Sequence, residues 1–337
     1  FRSMTEDREG DLWICTSTGL IRLKDGLFTG FTSKDGLGSD STWGVLEDHT
    51  GTIWVITSGG LNSFKDGRFT SYGARDGLAG GSIEAIREDK GGTLWVGSSD
   101  GLTSFRDGVF KMFTDSKQSI TSIRVIEPDK SGGIWVGTAV GLYLVNNSTV
   151  SVYSTQNGLS NNGVGPLLQD SEGRLWIGTA NGLDLMSGGK IKAFTTQDGL
   201  PGNGITSIHQ DREGSIWVST DTGLARFEDG KFTSFAAKDA LSGLTVLSVY
   251  EDREGDLWLG TDSGGLHVLK DNKFVTYTTD EGLSNNLVRA VFQDREANVW
   301  VGTSGGGLNR IKDGQITAYT TKDGLSSNVV LAVYGDR

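Results

Sequence analysis

Asp211–Thr220 reads DREGSIWVST and is one copy of a ten-residue frame that occurs eight times in the chain. The other copies begin at Asp7, Asp48, Asp89, Asp129, Asp170, Asp252 and Asp294. All fit Asp-x-x-Gly-x-aliphatic-Trp-aliphatic-x-(Thr/Ser), with Ala297 replacing the Gly once. The matching tryptophans are Trp13, Trp54, Trp95, Trp135, Trp176, Trp217, Trp258 and Trp300, spaced by 41, 41, 40, 41, 41, 41 and 42 residues. Eight of nine tryptophans therefore occupy one repeated position, which makes the chain a repeat array.

The frame has a physical reading. An Asp at the first corner of a tight turn accepts hydrogen bonds from the following backbone N–H groups, and a Gly lets the chain reverse where a Cβ would clash. The aliphatic-Trp-aliphatic run after it is β-rich, so the frame predicts a turn leading into a strand. A calcium loop would place several oxygens at alternating positions and end on a bidentate Glu. Here one Asp per turn recurs, which favours a turn cap, and neither a metal nor a cofactor is expected.

Outward from the frame, each repeat carries four short β-like runs. The first precedes the Asp, as in Ile205–His209, Val288–Phe292 and Ile83–Arg87. The second holds the Trp, and the third opens on Gly-Leu, as at Gly60, Gly101, Gly223 and Gly265. The fourth alternates apolar and polar residues and ends on an aromatic, as in the runs from Phe69, Phe232, Phe274 and Ile316. Lys-Asp-Gly or Arg-Asp-Gly between runs three and four signals a hairpin, as at Lys65–Gly67 and Lys312–Gly314. A loop of the form Lys322-Asp323-Gly324-Leu325-Ser326 follows run four. The third repeat lacks it, with Asp115–Ile120 instead, which explains the spacing of 40.

Four antiparallel strands per unit of about 41 residues is the period of a β-propeller blade. No repeat shows the 3.6-residue apolar spacing of a helical solenoid. The expected fold is all-β: one eight-bladed propeller over residues 1–337, with four-stranded blades. One run is left over. Phe1–Asp7 and Val329–Asp336 both read as first strands, so either one pairs at the closing blade and the other hangs on, or closure differs. Starting and stopping inside the pattern also suggests a segment of a larger protein.

Composition narrows the function classes. A net charge of −11 and 51 glycines against 3 prolines suit many short strands in an acidic protein. That charge argues against nucleic acid or an anionic membrane surface as partner. No apolar run approaches a membrane span, and no charged-then-apolar signal segment opens the chain. Cys15 is single, which excludes an internal disulfide, and it reads as a small buried residue.

With DREGDLWLGT, Gly-Leu and KDGLS-type loops recurring in this order, the chain resembles the two-component regulator propeller repeats. The resemblance covers almost the whole sequence. It implies a periplasmic or extracellular sensor domain N-terminal to a membrane span and a histidine kinase or similar output module. It further implies a small ligand, with oligosaccharides among the candidates, or an adjacent receptor domain as partner.

Two residue sets are candidate binding groups. Loops after run four and loops between runs two and three share one face of a propeller, and loops on a rigid scaffold commonly carry binding. Asn162, Asn203 and Asn286 sit there, where an amide can hydrogen-bond a sugar hydroxyl, although Asn is also an ordinary turn former. The second set lies five residues before the frame Asp, where the repeats disagree: Trp43, Glu84, Arg124, Gly165, Thr206, Leu247 and Arg289. Of these, Trp43, Glu84, Arg124 and Arg289 carry groups able to stack on a ring or bind a polar ligand. Blade packing for Trp43 and a solvated ion-pair set for the other three are the competing structural readings.

Catalysis finds little support. His49, His209 and His267 are the only histidines and fall in separate repeats. A metal-dependent propeller lyase needs a concentrated His/Glu set, and a sialidase-like glycosidase needs an arginine cluster with a Tyr/Glu pair. A non-enzymatic protein is expected, as a ligand sensor or a protein-contact scaffold.

Overall fold

A computed structural model describes residues 4–114, 119–146, 149–235, 241–271 and 273–330. The protein is an all-β, eight-bladed propeller: eight four-stranded sheets, each with its strands antiparallel and in chain order. The blades span residues 4–31, 42–72, 83–112, 123–153, 164–194, 205–235, 246–277 and 288–319. Packing divides the chain into two compact units, Phe1–Tyr72 with Leu244–Arg337 and Gly73–Gly243. The first holds blades 1, 2, 7 and 8, and the second holds blades 3 to 6.

Burial follows strand position. The second strand is covered on both faces, as in Leu12–Thr16 and Leu175–Thr179, where every residue is buried. The fourth strand faces outward, with exposed and half-buried residues alternating along Leu27–Phe31 and Lys231–Phe235. This is why run two reads as continuously apolar and run four as alternating.

The frame Asp caps the turn, as its sequence context predicts, and also holds the tryptophan. At Asp7 one oxygen accepts from the backbone N–H of Glu9 and Asp11, while the other accepts from the indole Nε1–H of Trp13 at 2.7 Å. The indole bond recurs in all eight blades at 2.7–3.1 Å. A buried indole N–H needs an acceptor, and one Asp supplies both it and the turn cap. The turn Gly is left-handed, with φ of 92° at Gly214, and Ala297 adopts φ of 62° in the one copy without Gly. In the outer hairpins Asp66 and Gly67 both have positive φ, the type I′ arrangement that matches strand twist.

Seams between blades are apolar. Trp13, Cys15 and Leu20 of blade 1 pack with Val45, Ile53 and Val55 of blade 2, so Cys15 is a buried core thiol. The leftover run resolves into a shared strand. Met4–Glu6 pairs with Leu12–Ile14, while Val330 pairs with Thr16 and Val329 with Ser304. In blade 2 the equivalent of Val330 is Thr42, which pairs with Thr57. The first strand of blade 1 is thus assembled from both copies, and neither merely hangs on. Residues 331–337 and 1–3 lie outside the described residues.

Candidate functional site

The variable position five residues before the Asp proves to be a β-bulge. In blade 3, Ala85 pairs with Gly97 and Ile83 with Ser98, so Glu84 opposes nothing. The register skips in the same way at Trp43, Arg124, Thr206, Leu247 and Arg289. A bulged residue matches no neighbour in the ladder, which releases its size and charge from blade geometry. Arg124 and Arg289 are exposed, and Trp43 and Glu84 are half-buried. Glu84 accepts a hydrogen bond from the Ser82 hydroxyl at 2.8 Å. Glu84 and Arg124 lie on neighbouring first strands, whereas Trp43 and Arg289 lie on blades 2 and 8, with blade 1 between.

Asn162, Asn203 and Asn286 hold their own loops together. The Oδ1 of each accepts the backbone N–H of the residue seven positions earlier: Thr155 at 2.8 Å, Thr196 at 3.0 Å and Thr279 at 2.9 Å. Each acceptor is thereby committed to the one-turn 3-10 segment that opens the linker after the fourth strand. Asp40 and Asn328 do the same at Ser33 and Thr321. These segments end on a left-handed Gly and carry a capping box, such as Thr278 with Glu281.

A further polar position, not singled out from sequence, fastens the linker to the next blade in four repeats. It is the residue after Gly-Leu on the third strand. Asn62 accepts from Gly38 N–H at 2.8 Å, Thr103 from Ala79, Asp184 from Ser160 and Asn309 from Ser284. All four are buried. Burial pushes the Asp184 carboxyl up to about 6, against the hydrogen bonds from Ser160 N–H and Oγ–H that favour its charged form. Its second oxygen has no hydrogen-bond partner. The same position in blade 7 is His267, buried beside Thr276, where burial holds the imidazole down at about 4. A polar residue following Gly-Leu in several repeats is the signal that could have revealed this row.

Two concavities lie at the other ends of the blades, beside the Asp turns. One of about 760 Å3 opens between blades 3 and 4 over Trp95, with Lys90, Arg106 and Lys111 at its rim. Another of about 460 Å3 opens between blades 8 and 1 beside Trp300, lined by Glu6, Glu9, Asp11 and Arg310. Neither is lined by Trp43, Glu84, Arg124, Arg289 or the three asparagines. Chemically, the first concavity can receive a planar or ring-shaped group beside a cationic rim, and the second is predominantly acidic. Among the described residues no His, Cys, Asp and Glu group could hold a metal ion, and no helix is long and apolar enough to cross a membrane.

The two component regulator propeller family model matches residues 77–100, 158–181, 199–222, 240–263 and 282–305. Four of the five matches start on the Gly-Leu of the linker, and all five run through the first strand and the Asp turn to just past the Trp strand. No curated protein sequence matches. Among solved structures, the chain is similar to the extracellular domain of the hybrid two component system BT3049 of B. thetaiotaomicron. That similarity has 23% identity and a TM-score of 0.44, over 98% of this chain and 53% of that one. The chain thus spans about half the length of that domain. PorZ, a surface component of the type-IX secretion system of Porphyromonas gingivalis, aligns with 17% identity and a TM-score of 0.59, over 92% of this chain and 51% of PorZ. Virginiamycin B lyase from Staphylococcus aureus aligns with 11% identity and a TM-score of 0.58, over 77% and 88%. At these identities the likenesses show the fold alone.

Proposed function

From the five matches to the two component regulator propeller model, we propose that the chain is the extracytoplasmic ligand-sensing propeller of a two-component signalling receptor. The observation that carries this reading is the bulged first-strand position. Blades 3, 4, 8 and 2 place Glu84, Arg124, Arg289 and Trp43 at a first-strand bulge, where the ladder's register shifts. Such a set can differ from receptor to receptor without cost to the scaffold, as a sensor needs. Glu84 and Arg124 offer a carboxylate and a guanidinium group on neighbouring first strands of one unit, and Trp43 and Arg289 an indole and a guanidinium group in the other. Either set suits a polar ligand, of which an oligosaccharide is the leading class. Asn162, Asn203 and Asn286 contribute only through side-chain atoms other than the Oδ1 already held by their loops.

The test is thermal unfolding against a panel of oligosaccharides and small metabolites, in the wild type and in Trp43→Ala and Arg289→Ala. A ligand at 100 times its Kd stabilises the folded state by about 2.7 kcal/mol, a shift of at least about 2 °C for a chain of this size. A selective shift that either variant abolishes supports sensing. A flat panel points instead to a protein-contact propeller, the second reading.

A further inference from the structure

The seam between blades 3 and 4 leaves open a tryptophan face that the seams at Trp13 and Trp176 cover with a phenylalanine. Phe64 of blade 2 lies 5.2 Å from the ring of Trp13, and Phe227 of blade 6 lies 5.0 Å from that of Trp176. The residue in the same register beside Trp95 is Val145, whose ring-less side chain covers far less. A second cover is missing as well. Arg22 and Arg226 hold their guanidinium groups 5.6 Å from Trp13 and Trp217, and blade 3 has Ser104 in that register. Trp95 is consequently half-buried, while the other seven blade tryptophans are buried. Gly133 adds to the space and cannot readily be filled, because a Cβ there would meet Val145 O at 3.0 Å.

The charge around this opening runs against the net −11 of the chain. Lys90, Arg106 and Lys111 are exposed at the rim. The cation at the Lys90 position is committed in other blades: Arg8 donates to the carbonyls of Asp48 and His49, Lys130 to that of Asp170, and Arg253 to that of Arg295. The ammonium groups of Lys90 and Lys111 make no hydrogen bond or ion pair among the described residues. Asp89 and Asp129 also line the opening, but both carboxylates are engaged. Asp89 accepts from the Trp95 indole and from Gly91 and Thr93 N–H, and Asp129 accepts from the Trp135 indole, Ser131 and Gln169. Arg106 has the Asp107 carboxylate at 3.9 Å.

We propose that this opening binds a small carboxylate that carries a ring. The ring takes the place over Trp95 that Phe64 and Phe227 take elsewhere, and the carboxylate meets the ammonium groups of Lys90 and Lys111. Aromatic faces favour offset stacking, and exposed cations steer an anion toward them. An acidic sugar and an aromatic acid share this chemistry. The inference is independent of the sensing reading and uses none of the bulged residues.

The test is calorimetric titration of the full chain with digalacturonate and with 4-hydroxybenzoate, each beside its uncharged counterpart. The variants are Val145→Phe, which supplies the missing ring, and the exposed pair Lys90→Glu/Lys111→Glu. One of the two acids is expected to bind, more weakly at higher salt, with its neutral counterpart at least about tenfold weaker. Each variant weakens binding by at least about tenfold, while Val145→Phe melts no lower than the wild type. Which acid binds identifies the source of the ring. The proposal is overturned if neither acid binds at millimolar concentration, if the neutral counterpart binds equally, or if binding survives both variants. Binding that survives both variants but is lost in Trp43→Ala overturns this opening and supports the bulged set, so the two readings fail separately.

Discussion

Two side chains per blade do most of the local organising, the turn Asp and the Trp whose indole it holds. Their bond explains why both recur, since either alone would leave a buried polar group unsatisfied. The fastening position shows the opposite tendency, with chemistry that varies from blade to blade. Asp184 stands where Asn62 and Asn309 stand, yet it carries a carboxyl whose second oxygen has no partner. Its folded-state value near 6 lies above the ordinary 3.8, so the native state binds the proton more tightly than the unfolded chain does. Stability contributed by this group is therefore greatest at acid pH and falls as pH rises from about 4 to 6. Asp184→Asn removes that loss, because an amide can accept from Ser160 N–H and donate to its Oγ, as Asn309 does at Ser284. The variant is expected to be about 1–3 kcal/mol more stable than the wild type at pH 7 and equal to it near pH 4, as read by urea unfolding. His267 works in the other direction. Held near 4 against an ordinary 6.5, it contributes stability that is fully present above 6.5 and lost as pH falls toward 4. The two trends oppose each other over most of that range, so the wild type should show a shallower pH profile than Asp184→Asn.

At the scale of the element, the linker after five of the fourth strands is a built structure. A Thr or Ser opens a single 3-10 turn, an acidic or amide residue closes the capping box, and a left-handed Gly ends it. The residue seven positions on then reaches back to the first N–H. Asn286→Ala removes that acceptor from Thr279 and should cost about 1 kcal/mol in thermal or urea unfolding. Asn286→Asp should restore most of it, because Asp40 already plays this part at Ser33 with a 2.6 Å bond. The pair also separates two roles. If Asn286 contacts a ligand through its amide donor, Asn286→Asp loses binding while keeping stability, whereas a residue that only closes its loop loses neither.

At the scale of the whole molecule, one joint differs from the rest. The first strand of blade 1 is contributed by Met4–Glu6 and, 324 positions later, by Val330, counting from Glu6. Val330 is fully buried and packs with Met4, Ile14, Leu308 and Leu325 between blades 8 and 1. A contact between positions so distant in sequence closes a long loop, and its loss is felt by both blades at once. Val330→Ala is expected to cost about 1–3 kcal/mol by its cavity alone, measured as a lower urea midpoint. The matching substitution Val288→Ala, in a first strand made of one continuous segment, should leave blades 8 and 1 joined while costing a similar amount at equilibrium. Hydrogen exchange distinguishes the two: Val330→Ala should speed exchange in Leu12–Thr16, which Val288→Ala should leave protected.

The repeat, the blade count, the turn Asp, the left-handed Gly and the Asp-Gly hairpins are local in origin, and the sequence alone determines them. Each rests on interactions within about ten residues, where steric and hydrogen-bonding preferences act directly on neighbours in the chain. The variable position before the Asp was equally visible in sequence, but its cause was not. A bulge is a mismatch between two strands, and only their pairing reveals that Glu84 faces no partner while Ala85 faces Gly97. The asparagines are visible in sequence as loop residues, yet their Oδ1 atoms answer to an N–H seven residues away, which a turn preference alone does not specify. The row of Asn62, Thr103, Asp184 and Asn309, the shared first strand and the open face of Trp95 were decided by tertiary structure. Each depends on which residue of the next blade arrives opposite, as Val145 rather than a phenylalanine does at Trp95. Sequence spacing sets the blades, and packing between blades decides what each seam leaves open.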